Sequence, residues 1–234
     1  MTTRRSFLSA SLSSAVLAAC GGGGIPAALA TATPTPEPSP TPAPTATPAA
    51  SAAAGSLTFS VASGSKVVVR VTEQLADRQN LSDAVLTADK VTGEFTLQPD
   101  GTFAPSSKIT VDLNSLASDS RQRDNFIKMD TLAVRQFPNA VFVPTRTEGL
   151  TLPLPATGDL SFKLTGHMTV HGVTKDASFD VKAKRSGSDL TATATVAPAM
   201  QFGTFGMTQP RVFTVLSIKD EIRLEVQLVA TQKP

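Results

Sequence analysis

Few residues in this chain are equipped for chemistry. Arg121 and Arg123 stand two apart in the charged stretch from Asp119 to Lys128. A guanidinium fork suits the oxygens of a phosphate or a carboxylate, which makes both arginines candidate contacts for the head group of a ligand. The alternative is a solvated helix in which Asp119 pairs with Arg123 at i,i+4. His167 and His171 are the two histidines. Four residues along a strand separate them by ~13 Å, too far to share one ion, so no metal site is expected. His171 is expected instead to organise a hairpin through hydrogen bonds to the backbone or to Thr174. Asp220 and Glu221 read as turn residues beside a strand, not as an acid/base pair. With no serine elbow, no His-Glu-x-x-His and no glycine-rich phosphate loop, no enzymatic activity is expected and no cofactor is required.

The single cysteine, Cys20, lies in a different context. Arg4-Arg5-Ser6-Phe7-Leu8 precedes a short apolar run that ends in Leu17-Ala18-Ala19-Cys20. That run is too short for a stable membrane span and closes on small residues, as an export signal does. The arginine pair looks like a twin-arginine signal, and Leu-Ala-Ala-Cys looks like the lipobox of a bacterial lipoprotein. Residues 1–19 are therefore read as a signal peptide. Cys20 is read as the lipidation site, giving an exported protein held on the outer or periplasmic face of a membrane. Removing both arginines with the signal takes the formal charge from +2 to zero, which leaves no electrostatic reason to bind nucleic acid. Residues 20–55 are rich in Pro, Thr and Ala and should form a disordered, extended tether.

The remaining span, 56–234, reads as short β segments between turns. Lys66 to Glu73 is a valine-rich strand. Asp83 to Gln98 alternates, with Val85, Thr87, Val91, Phe95 and Leu97 expected on one face. Ile109, Val111 and Leu113 mark the next strand, and Asn139 to Arg146 another, bounded by Pro138 and Pro144. The clearest hairpin places Leu160, Phe162, Leu164, Gly166, Met168 and Val170 on one face. His171 to Lys175 should turn, and Ala177, Phe179, Val181 and Ala183 should return. Leu190 to Val196 and Ile222 to Ala230 complete the set. Asp119 to Arg135 interrupts it with spacings that suit one or two short helices. About eight antiparallel strands in this length favour a closed barrel or a sandwich, an all-β fold.

In a small barrel every second residue points inward, and the interior can be filled by side chains or can enclose one slender ligand. Phe95, Phe142, Phe162 and Phe179 fall near strand centres, joined by Ile109, Val111, Leu164 and Val181. Together these eight form the candidate apolar pocket.

Three stretches carry a resemblance. Ser118 to Phe126, Gln136-Phe137-Pro138-Asn139-Ala140-Val141-Phe142, and Leu164-Thr165-Gly166-His167-Met168-Thr169-Val170-His171-Gly172-Val173-Thr174-Lys175 are together similar to the YceI family. Phe202-Gly203-Thr204-Phe205-Gly206 resembles that family's Asp-Phe-Gly segment, with Thr204 where aspartate is usual. The resemblance implies a lipocalin-like antiparallel β-barrel whose interior holds an isoprenoid chain, such as a polyprenyl lipid or a quinone. It implies no catalytic residues. The expected function is thus a membrane-anchored isoprenoid-binding protein. The alternative is a structural or stress-related envelope protein whose barrel is filled by its own side chains.

Overall fold

The computed structural model describes residues 55–77, 79–211 and 215–234. The signal peptide, Cys20 and nearly all of the tether lie outside these residues. Ten strands account for most of the described chain: β1 (Leu57–Val61), β2 (Lys66–Leu75), β3 (Ser82–Ala88), β4 (Val91–Leu97), β5 (Lys108–Asp112), β6 (Asn139–Glu148), β7 (Thr157–Val170), β8 (Val173–Ser186), β9 (Asp189–Val196) and β10 (Val215–Gln232). All pair antiparallel, and β1 meets β10 to close the sheet. Strands β2 and β3 continue β1 and β4 beyond short breaks, so the ten segments make eight staves. The fold is a closed eight-stranded antiparallel barrel with one short helix.

One break changes which residues face inward. Phe59 pairs with Phe95 and Val67 with Ala88, so the register between the two staves slips by one residue at Asp89-Lys90. A one-residue slip inverts side-chain parity. Ala84, Leu86 and Ala88 are consequently the buried residues of β3. Val85 and Thr87, expected on the Phe95 face, are only half-buried and belong to the opposite one. A second correction concerns Pro144, which lies inside β6 and not at its end. It sits where the β6–β7 register shifts between Pro144 and Arg146, a place where a missing N–H costs no ladder bond. A third concerns Asp220 and Glu221, which lie within β10 where its register against β2 is irregular. The Asp220 carboxylate accepts a hydrogen bond from the Phe202 amide at 2.9 Å.

The β7–β8 hairpin turns on two residues. His171 and Gly172 have φ of 52° and 74°, the left-handed pair that matches strand twist in a tight hairpin. Val173 to Lys175 already belong to β8. A Cβ on Gly172 would stand 2.5 Å from the Phe137 ring, so close packing reinforces the backbone requirement. His171 does not bond within its own hairpin. Its Nδ1 lies 3.3 Å from the Phe205 carbonyl, and its ring meets Phe137 edge-on at 5.0 Å. Thr174 pairs with Thr169 instead.

Helix α1 (Arg121–Phe126) starts at Ser120, whose hydroxyl accepts from the Arg123 amide, and runs on into a wider π-type turn over Ile127–Thr131. Buried Asp124 anchors the segment by accepting from the Ser118 amide and hydroxyl at 2.8 and 2.6 Å. Arg123 reaches from α1 to Glu73 on β2 at 3.0 Å and also holds Asp119. The helix is thereby fixed over one end of the barrel.

Across the outer face, Arg223 on β10 donates to Asp83 on β3, and Thr72 between them donates to the same carboxylate. The Arg223 hydrogen bond holds the Asp83 carboxyl below its ordinary value; desolvation opposes it, and the Thr72 hydrogen bond adds a smaller lowering. A lowered folded-state pKa stabilises the fold above the unfolded value, and that contribution is lost as pH falls through the folded value. Both side chains are partly exposed, so Arg223→Met should cost no more than ~1 kcal/mol at neutral pH. In urea titrations the gap between the two proteins should shrink below pH ~4. A gap that widens on acidification would contradict this assignment.

Candidate functional site

The inward faces of the staves enclose an apolar cavity of about 270 Å³. Apolar cavities of ~150 Å³ already stay dry and admit benzene, so this one is large enough for part of a hydrocarbon chain. Thr131 and Thr147 are the only polar residues among the described residues that line it. The cavity reaches residues at both ends of the barrel. Leu113, Leu116, Ile127 and Leu132 bound it at the α1 end, while Phe59, Phe103, Leu154 and Leu190 bound it at the other.

All eight pocket residues named from the sequence line this cavity: Phe95, Ile109, Val111, Phe142, Phe162, Leu164, Phe179 and Val181. Register explains how they meet. Leu164 pairs with Phe179 and Phe162 with Val181 across β7–β8, and Ile109 pairs with Phe142 across β5–β6. The Phe142 and Phe179 rings meet edge-on, 5.1 Å between centroids. Gly166 makes room for Phe142, because a Cβ there would fall 2.6 Å from the ring. Phe95 stacks at 5.4 Å on Phe59, a cavity residue not singled out from the sequence although Leu57–Val61 alternates around it.

The two candidate head-group arginines differ in their surroundings. Arg121 is exposed on α1. Arg123 has both arms of its fork on carboxylates, Asp119 and Glu73, and acts as a tie between helix and barrel. The histidines are also apart in role. His167 is exposed and lies 2.8 Å from Asp176, whereas His171 packs under the Phe202–Phe205 turn. No cluster of three or more ligating side chains occurs among the described residues.

The residue that sequence reasoning missed is Arg185. Phe179, Val181, Ala183 and Arg185 continue one inward alternation along β8, and all four are buried. Extending the Ala177-Phe179-Val181-Ala183 pattern by two residues would have found it. Arg185 is 6% exposed and lies over the Phe59 ring at 5.6 Å. Its nitrogens donate to the carbonyls of Gly187, Leu154 and Pro155 and to the Gln232 side chain.

The YceI-like domain profile matches residues 51–230, more than half of the chain. The chain belongs to the YceI-like family. Among curated relatives, a UPF0312 protein of Pseudomonas putida strain F1 is 39% identical over 87 residues, covering 36% of this chain and 42% of the relative. Another, from Pseudomonas putida strain GB-1, is 37% identical over 100 residues, covering 42% and 47%. The chain thus matches less than half the length of these relatives. Among solved structures, a polyisoprenoid binding domain from Saccharophagus degradans superposes with a TM-score of 0.60 at 12% identity, over 76% of this chain and 99% of that one. Burkholderia cenocepacia BcnA gives 0.54 at 18% identity, over 71% and 96%. At these identities the likeness establishes the barrel of this YceI-like chain and nothing finer.

Proposed function

We propose that this YceI-like protein is an extracytoplasmic binding protein, anchored through acylated Cys20, that holds an isoprenoid lipid in its barrel and catalyses no reaction. The observation that carries this reading is the cavity, long and walled almost wholly by aliphatic and phenylalanine side chains. A branched hydrocarbon tail gains ~0.8 kcal/mol for each CH₂ it buries there, against the cost of ordering the tail. A compact polar ligand would find almost no partner inside. The polyisoprenoid binding domain of Saccharophagus degradans shares the barrel, which supports an isoprenoid as the occupant. Arg121, exposed on α1, is the arginine proposed to meet an anionic or quinone head at that end. Arg123, engaged by two carboxylates, would serve by holding α1 in place. A barrel filled by its own side chains, the structural-protein alternative, fits poorly with a cavity of this size.

Solvent extraction of protein purified from its membrane, followed by mass spectrometry, tests the occupant. A polyprenyl or quinone species in stoichiometric amount is expected. Extracts that hold only bulk phospholipid would contradict the proposal. The anchor has its own test. Cys20→Ser removes the thiol that would be acylated, so the variant should shift from the membrane fraction to the soluble fraction or accumulate unprocessed. Mature-length protein that still sediments with membranes would overturn the anchor.

A further inference from the structure

The two ends of the cavity are built differently, and the difference assigns a direction to the ligand. At the α1 end the walls come from short irregular segments: Leu113 and Leu116 around one 3₁₀ turn, then Ile127 and Leu132 around the π-type turn. At the opposite end the wall is the Phe59 ring, stacked on Phe95, which in turn meets Phe103 edge-on at 6.2 Å. Phe59 is 1% exposed, and the Arg185 guanidinium covers its ring at 5.6 Å from the centroid. That guanidinium is itself held by the Gly187, Leu154 and Pro155 carbonyls and by Gln232. Those acceptors come from the β8–β9 turn, the loop before β7 and the end of β10, so a single side chain ties three segments across the barrel's base.

We infer that Arg185 closes this end and sets the depth of the cavity, so that an isoprenoid enters tail-first from the α1 end and its terminal unit stops against Phe59. The inference rests on the isoprenoid reading and adds its orientation and length limit. The stop is electrostatic as well as steric. A tail long enough to pass Phe59 would have to strip a buried cation of its acceptors and offer it hydrocarbon in exchange, which is far costlier than displacing an apolar side chain. Lengthening the tail beyond the base therefore gains nothing, whereas each unit added below that limit buries more surface.

Photolabelling of the full chain with geranylgeraniol carrying a diazirine on its terminal unit reads the orientation without any mutation. Crosslinks are expected at the base, on Phe59, Leu154, Leu190 or Leu228. Crosslinks concentrated on Leu116, Ile127 or Leu132 would overturn the inference while leaving isoprenoid binding intact. A chain that takes no label at all would overturn the binding reading itself. Depth is read by titrating geraniol, farnesol, geranylgeraniol and solanesol in turn. Affinity should rise with each step up to a limiting length. In an Arg185→Ala chain that retains the parent's far-ultraviolet spectrum, the first prenol past that limit should bind at least tenfold tighter than it does to the parent. An unchanged limit in that folded variant would contradict the role given to Arg185. Phe59→Leu, which only trims the wall, should move the limit less.

Discussion

Phe162→Gln is expected to abolish binding of an isoprenoid probe while the barrel still folds. Phe162 lines the cavity beside Val181, and its side chain is only part-buried, so the strand ladder around it does not depend on the ring. With a tail in place, the introduced amide would be buried without partners, at a cost of ~1–3 kcal/mol. That corresponds to roughly 5- to 150-fold in affinity before any steric obstruction is counted. Phe162→Leu keeps the wall apolar and should retain most binding. Lys163→Gln, on the other face of β7, removes only the exposed ion pair with Asp180 and should change neither affinity nor melting by a measurable amount. Titration with a fluorescent prenol beside thermal melts separates the two effects. Unaltered binding by a folded Phe162→Gln protein would mean that the tail does not run along β7.

The largest effect on stability is expected from Phe59→Ala. Phe59 is among the most buried side chains, stacked on Phe95 and covered by Arg185, so truncation removes an aromatic pair and leaves a void beneath a cation. Large-to-small changes of this type cost ~3–5 kcal/mol. The lost stacking accounts for ~0.5–1.5 kcal/mol beyond the area term. The urea midpoint should fall accordingly, with Phe59→Leu losing a minor part of that amount. A loss below ~1 kcal/mol for Phe59→Ala would show that the base of the barrel is not a packed unit.

The parts of this fold that were legible in the sequence are those where alternation runs unbroken. Strands β7 and β8 are 14 residues each, and their inward residues follow from period two alone. The α1 segment was legible because apolar residues recur at helical spacing between Asp119 and Arg135, although the Ser120 cap that starts it was not singled out. Expectation failed where the backbone departs from regular pairing. The slip at Asp89-Lys90 inverted the face assigned to Val85 and Thr87, and nothing in that dipeptide marks a slip as opposed to a continuing strand. Pro144 read as a strand terminus because a proline inside a sheet is tolerated only at irregularities, and the irregularity is visible only once β7 pairs beside it. His171 bonds to Phe205, a residue distant in sequence, so no local rule could supply the partner. Arg185 escaped for another reason. A charged residue at an inward position is read by default as the end of a strand's buried stretch, and only the carbonyls gathered around it show that the alternation continues.

Whether the barrel takes one isoprenoid chain is decided by native mass spectrometry of the purified protein titrated with geranylgeraniol or solanesol. A single saturable adduct at one ligand per chain is expected, weakened in Phe162→Gln and retained in Lys163→Gln. Folded parent protein that forms no adduct with a prenol, a polyprenyl diphosphate or a quinone would contradict it.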